Sequence, residues 1–396
     1  MSAVVITAWS AVSPYGTGGA ALAEGLRTRT AAPEGAVPAE WTAEWAAGPA
    51  PTARVVPGFD VREALGRRGT RGLDRLTGLT ALTVRDLLAA HDGAPVPGGG
   101  EGPAPVPGGG DAPAPGEPPG TGLVLGTTAG SVQGFMEFTK ASLEGPRPLA
   151  VPAAKVPNMA MNRAASATAI RQVLKGPNST VAAGRLSALI ALDHGRRLLA
   201  DGHATRVLAG SAEEYSATRA HLTHAAHGTD VVLGEGCVMV LLERADHAAG
   251  TPLADVLAVH HRVAPPGDFT ATLTATVATA LDAAGVTARD VWAALPGNAP
   301  GVAGEQEADV HRSLFDAGVR ERAAPAALLG ETAAATGAFQ LAALLAEPGE
   351  PGRIALATTT DPDGRVGCLV LRLLTDGTAP GGHEAAEPAR REEAAR

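Results

Sequence analysis

Cysteine is nearly absent from this chain of 396 residues: only Cys237 and Cys368 occur. Two thiols exclude a disulfide framework and a thiolate metal site. Each sits in an apolar run, GCVMVLLER and VGCLVLRLL, and both are expected as buried, inert thiols, the common state of free cysteine. No apolar stretch approaches the roughly 20 residues that span a bilayer. The opening MSAVVITAWSAVSP has no basic segment ahead of its apolar run, so no secretory signal is expected and the expected location is cytoplasmic. Lysine is scarce beside arginine. With a formal net charge of -9 and the basic residues scattered, neither a nucleic acid nor an anionic membrane is an expected partner. What the chain has is 45% hydrophobic residues, enough for one large core or two fused ones.

Strand and helix signals alternate along it. AVVITAW reads as a β-branched buried strand and ALAEGLRTRT as a helix after a Gly-rich turn. A helix over 72–91 carries Leu73, Leu76, Leu79, Leu82 and Leu87 at near-helical spacing. The pattern then gives way over 93–120 to a Pro/Gly tract containing APVPGGG twice, expected as a disordered surface insert because it has little apolar surface to bury. GLVLGTT, STVAAG, TRVLAGSAEE, GCVMVLLER and ADVLAVHHRV read as strands. Between them, helices are expected in SVQGFMEFTKASLEG, PNMAMNRAASATAIRQVLKG and RLSALIALDHGRRLLADG. The alternation repeats with a helix near Phe269–Ala284, the strand VWAAL, the helices EQEADVHRSLF and TAAATGAFQLAALLAE, and the strands RIALATT and VGCLVLRLL. Two rounds of it predict a parallel-rich α/β sheet in two related halves. The expected division is 1–250, 251–375 and a frayed tail over 376–396.

The segments VVITAWSAVSPYGTG, PNMAMN, AIRQVLKGPNSTV, LLADGHATRVLAGSAEE and VVLGEGCVMVLLER, in this order, resemble a β-ketoacyl synthase of the condensing-enzyme family. The resemblance covers about Ala3 to Leu374 and implies a five-layered αβαβα thiolase fold. It also implies where catalytic residues should stand. Counting from Gly176-Pro177, the place of the family's cysteine nucleophile, at a helix start that lowers a thiol pKa, holds Arg185. The first histidine's place holds Pro296, in LPGNAPG. Counting back from Thr336-Gly337, the second histidine's place holds Glu331 and the lysine's holds Ala326. The closing Gly-rich turn reads TDPDG. Arginine is a permanent cation and proline has no proton to exchange, so condensation by this chain alone is not expected.

Loss of every catalytic residue in an intact fold is similar to the chain length factors of type II polyketide synthases. The resemblance implies a non-catalytic subunit that heterodimerises with a ketosynthase α subunit, meets an acyl carrier protein through the complex, and shapes a tunnel bounding polyketide or polyene length. No cofactor or metal is implied. The other reading is a thiolase-fold acyl-processing enzyme with a repurposed site. Val132, Phe135, Met136, Thr139 and Met159 are the tunnel candidates; ordinary helix core is the alternative for those in SVQGFMEFTKASLEG, and gap-filling at a dimer interface is that for Met159. His221, His224 and His227 stand at i, i+3 and i+6 but lack a fourth ligand, and are expected on the surface. Asp193 and His194 are expected on the solvent side of a helix. Glu213, Glu214 and Glu235 are expected to be structural. Arg185 and Glu331 are expected to form a direct, largely buried, bidentate salt bridge that plugs the vestigial pocket.

Overall fold

A computed structural model describes residues 3–36, 52–93, 120–147, 150–151, 153–228, 231–266, 268–320 and 324–377. Most of the 93–120 insert and of the 376–396 tail lies outside the described residues.

Among the described residues, ten strands form one sheet. In chain order they are β1 Val4–Ser13 and β2 Gly16–Thr17, then, after the short pair β3 Gly35–Ala36 and β4 Thr52–Arg54, β5 Thr121–Gly126, β6 Asn178–Val181 and β7 Arg206–Glu213. β8 Leu233–Gly234 joins β3 and β4 in a small sheet, and β9 Gly236–Arg244, β10 Ala254–Val263, β11 Val291–Leu295, β12 Ile354–Thr360 and β13 Arg365–Leu373 complete the large one. Its order is β11-β12-β13-β10-β1-β9-β7-β5-β6, with β2 on β1. Within this sheet, among the described residues, only β5·β6, β5·β7 and β11·β12 are parallel. The expected parallel-rich sheet is therefore corrected to a mixed one. A tight turn over 361–364 returns β13 antiparallel on β12, and β9 likewise runs antiparallel to β7, connections that strand signals along the chain do not distinguish.

The two halves repeat one topology. β5-β7-β9-β1 and β11-β12-β13-β10 have the same order and the same sequence of parallel, antiparallel and antiparallel pairings. Even an irregularity recurs: β1 slips register between Ile6 and Ala8, and β10 between Val256 and Ala258. Each slip lets residues on either side of it face the same core, Val4, Ile6, Trp9 and Ala11 in one strand and Ala254, Val256 and Val259 in the other.

Strands buried on both faces explain their near-continuous apolar sequences. Along β9, Val238, Val240 and Leu242 enter a central core while Cys237, Met239 and Leu241 enter an outer one built on the helix Arg75–Asp92. Along β13, Leu369 and Leu371 join the central core, while Cys368 and Val370 join a third, built on the helix Phe269–Ala284. The central layer holds the helices Ser187–Ala200 and Thr336–Ala346. They approach so closely that a Cβ on Gly337 would lie 2.4 Å from the Leu189 Cδ1 atom. Three cores around two sheet halves give the five-layered thiolase arrangement. The helix expected from PNMAMN onward is split: Ala153–Met159, with Pro157 inside it, is a 3-10 turn and the α-helix runs Arg163–Arg171.

Candidate functional site

The loop after β6 turns at Gly184, whose φ of 57° is left-handed, and a Cβ there would lie 2.0 Å from Asp361 Oδ2. Glycine at this position lets the chain enter the central helix with Arg185 directed inward. Arg185 is 3% exposed. Its guanidinium forms an ion pair with Glu331, donates from Nε to Thr360 O at 3.0 Å and donates from its remaining nitrogen to Gly297 O at 2.5 Å. Its backbone N–H donates to Asp361 Oδ2 at 2.9 Å. One side chain thus joins the start of the central helix, the end of β12, the loop after β11 and the segment after the short helix Pro325–Leu329.

The expected Arg185–Glu331 pair is present and buried, but it is not bidentate. Only one guanidinium nitrogen reaches the carboxylate, because the other donors face two backbone carbonyls. Glu331 Oε1 instead accepts from Ala333 N–H at 2.9 Å. The Glu331 backbone is fixed by Val232 O at 2.8 Å and Gly234 N–H at 2.9 Å, and Arg219 donates to its carbonyl at 2.6 Å. Pro296 adjoins Gly297 at the same point. Ala326 lies on the short helix and contributes no side-chain polar atom.

Two carboxylates at this site were not singled out by motif counting. Glu307 accepts from Gly297 N–H, Asn298 N–H, Thr358 Oγ1 and Thr360 Oγ1 at 2.6–3.1 Å. Burial pushes its carboxyl above the ordinary range, opposed by these bonds and by the nearby Arg185 charge. Asp361, in the TDPDG turn, is the other. Asp361 bonds the Arg185 backbone and Glu307 feels its charge through space, each across more than a hundred residues of sequence, and neither belongs to an acid–base pattern that spacing reveals.

Glu213, Glu214 and Glu235 are buried and hydrogen-bonded. Glu213 accepts from Thr128 Oγ1 at 2.6 Å, and Glu235 ties Val56 N–H, Tyr215 N–H and Arg75 together at 2.5–2.9 Å. His221 and His227 are exposed, with His224 Nε2 3.3 Å from Val231 O. Among the described residues no group of His, Cys, Asp and Glu is arranged to hold a metal. Asp193 and His194 are half-buried; Asp193 meets Arg197 at 3.1 Å and His194 Nε2 lies 3.1 Å from Ser179 Oγ. Cys237 and Cys368 are free and buried. Burial pushes the Cys237 thiol up to about 12 and raises that of Cys368, so neither supplies a thiolate at neutral pH.

The helix carrying most tunnel candidates, Val132–Glu144, buries no residue completely. Val132, Met136, Thr139 and Met159 are half-buried and Phe135 is 49% exposed. Leu143, Val156, Met161, Ile170 and Val173 are also exposed nearby in sequence, and β6 forms the free end of the large sheet. No described helix is long and apolar enough to cross a membrane.

This mixed two-half sheet with two central helices is the fold of thiolase-type ketosynthases. Residues 110–248 match the β-ketoacyl synthase N-terminal domain. The ishigamide ketosynthase/chain length factor is 40% identical, with 94% of this chain and all of that chain covered at a TM-score of 0.82. On that likeness the chain belongs to the β-ketoacyl synthase family, within its ketosynthase/chain length factor group. Two more distant structures share the fold. A β-ketoacyl synthase from Burkholderia phymatum is 19% identical, with 95% of this chain and 100% of that one covered and a TM-score of 0.74. A ketosynthase in complex with its chain length factor from Xenorhabdus doucetiae is 14% identical, with 94% and 98% covered and a TM-score of 0.68. No curated protein sequence matches the chain.

Proposed function

We propose that this chain is the non-catalytic, chain-length-factor-type subunit of a cytoplasmic type II polyketide synthase, pairing with an active ketosynthase and bounding the length of its polyketide or polyene. In this reading the related halves divide at 1–250 and 251–375. Arg185, Pro296, Ala326 and Glu331 occupy the places of the nucleophile, first histidine, lysine and second histidine. The observation that carries it is the Arg185 guanidinium, which holds the helix start where a nucleophile would stand and is neutralised by Glu331. A permanent cation hydrogen-bonded to two carbonyls neither attacks a thioester nor exchanges a proton. The acyl carrier protein then delivers its chain to the partner's cysteine.

Two surface features support pairing. The helix Val132–Glu144 and its surroundings expose Phe135, Leu143, Val156 and Met161, a cost in water that an apolar interface removes. The unpaired edge of β6 offers backbone groups to a second sheet. Obligate interfaces of this kind bury upwards of roughly 2,000 Å². Co-expression with a ketosynthase that retains its Cys and both His is expected to yield a tight heterodimer with condensing activity, while this chain alone yields none. Turnover by the isolated chain, or a stable monomer that ignores every such ketosynthase, would overturn the reading.

Within the heterodimer, Phe135→Ala or Met136→Ala is expected to lengthen the product by one or more extension units, because truncation leaves a cavity that further carbons occupy. Product mass from the reconstituted synthase measures this. Unchanged or shorter products from a folded complex carrying both substitutions would remove these residues from the tunnel.

A further inference from the structure

The helix Val132–Glu144 is weakly held by apolar packing, since none of its residues is fully buried. Its tunnel candidates share one face. At about 100° per residue, Val132, Phe135, Met136 and Thr139 fall within about 100° of arc, and Gln133 and Glu137 lie together on the flank beside Met136. That flank carries polar links to the rest of the fold. Glu137 pairs with Lys155, but their side chains are 40% and 48% exposed, and such a pair contributes little. Gln133 reaches a buried partner instead. Its Oε1 accepts from both the N–H and the Oγ1–H of Thr218, at 3.1 and 2.8 Å, and Thr218 is 8% exposed.

Both amide atoms of Gln133 are engaged. A backbone N–H can only donate, so the atom facing Thr218 is the oxygen, and Nε2 donates to Glu137 Oε1 at 3.2 Å, one turn along the same helix. Thr218 is the second residue of the helix Ala217–His227, where the first N–H groups have no acceptor within the helix. Ser216 caps the Arg219 N–H at 3.2 Å, and Gln133 caps the Thr218 N–H from outside. This helix start is itself anchored in the core. Arg219, 6% exposed, donates to the carbonyls of Glu331, Gly234 and Glu214 at 2.6–3.0 Å. Gln133 therefore ties the weakly packed helix to the same backbone that carries Glu331.

A helix with few buried apolar contacts lies at the low-stability end of a fold and shifts easily once a polar tie is cut. On the tunnel reading above, we propose that Gln133 is a positioning residue for product length: it fixes the rotation of Val132–Glu144, and so how far Val132, Phe135, Met136 and Thr139 project toward the growing chain. Phe135 and Met136 set the length by their bulk, and Gln133 acts through them by holding that bulk in one place. Its expected signature is a uniform product, which loss of the tie converts into a spread of lengths.

The test uses the reconstituted heterodimer. Gln133→Met keeps the side chain's length and removes both its acceptor and its donor. Amide hydrogen exchange across 132–144 is expected to quicken about tenfold, as the loss of one or two hydrogen bonds predicts, and the ratio of off-length to parent-length product to rise about fivefold or more. The exchange of partners, Gln133→Glu with Glu137→Gln, keeps an acceptor for Thr218 and a donor one turn away, and is expected to restore both readouts. Should Gln133→Met prevent assembly, Thr218→Val removes the Oγ1–H alone, and the same two changes are expected at smaller size. A purely structural part would lower the yield of heterodimer and leave product lengths alone. Unaltered exchange, faster exchange with unaltered lengths, or an exchanged pair that behaves like Gln133→Met would each overturn the proposal. Lengths that respond to Phe135→Ala but not to Gln133→Met overturn it alone, and lengths that respond to neither overturn the tunnel reading with it.

Discussion

Arg185→Met is expected to lower the unfolding free energy by ~3–5 kcal/mol, the usual cost of removing one partner from a buried ion pair. The side chain of Arg185 is 4% exposed and that of Glu331 10%, so water restores little of the lost interaction. The substitution leaves Glu331 without its cation, removes the nearby positive charge that favours an ionised Glu307, and strands the carbonyls of Gly297 and Thr360. Adding Glu331→Leu removes the uncompensated carboxylate but not the two stranded carbonyls, nor the Ala333 N–H that Glu331 had accepted from. The double variant should therefore recover part of the loss and remain less stable than the parent. Glu331→Gln should cost less than Arg185→Met, about 1–3 kcal/mol, because glutamine keeps an oxygen for Arg185 and Ala333. Urea unfolding of the parent, Arg185→Met, Glu331→Leu and the double variant closes one thermodynamic cycle, with Glu331→Gln measured beside it. An Arg185→Met protein within ~1 kcal/mol of the parent would show that the pair does not hold the site together, whatever its part in the loss of chemistry.

That pair was legible because each partner sits at a fixed count from a local motif, Gly176-Pro177 for one and Thr336-Gly337 for the other. The rest of its surroundings was not. Asp361, Gly297 and Thr360 bond Arg185, and Glu307 acts on it through space, only because the fold brings them together, and nothing in EQEADVHRSLF or TDPDG distinguishes them from surface residues. The bidentate geometry failed for the same reason: the sequence does not show that two backbone carbonyls compete for the guanidinium. Strands were legible from apolar runs long enough to be buried on both faces, such as β1, all of whose residues are buried. Their direction was not, since a run of Val and Leu reads alike in a parallel and an antiparallel neighbour. The helix Arg75–Asp92 was placed by its leucines, while its start is set by the Asp74 cap, and the reading from Gly72 ran past that signal. The apolar face of Val132–Glu144 matched a core helix by periodicity alone. Only its incomplete burial separates a helix packed by its own fold from one left for a partner or a tunnel.

A second large effect is expected from pH, through Glu214. Its carboxyl is pushed up from 4.5 to about 8, first by complete burial and then by the negative charge of Asp74, with Glu213 and Glu235 adding to it and the Leu76 N–H opposing. The neighbouring cations do little to offset this, because Arg75 serves Glu235 and Arg219 faces Glu213 and three backbone carbonyls. A group whose folded pKa lies above its unfolded value stabilises the fold fully below the unfolded value, and that contribution is lost as pH rises through the folded one. Stability is therefore expected to fall between about pH 4.5 and pH 8, with roughly 2–4 kcal/mol of the change due to Glu214. Burial raises Asp74, Glu213 and Glu307 as well, so the slope of the parent protein does not isolate one group. Glu214→Gln does. Glutamine keeps an oxygen for the Leu76 N–H and cannot ionise, so the variant should be no more stable than the parent at pH 5 and more stable at pH 8.5. Urea unfolding of both proteins at several pH values across that interval should give curves that cross. Parallel curves would assign the titration to another carboxylate.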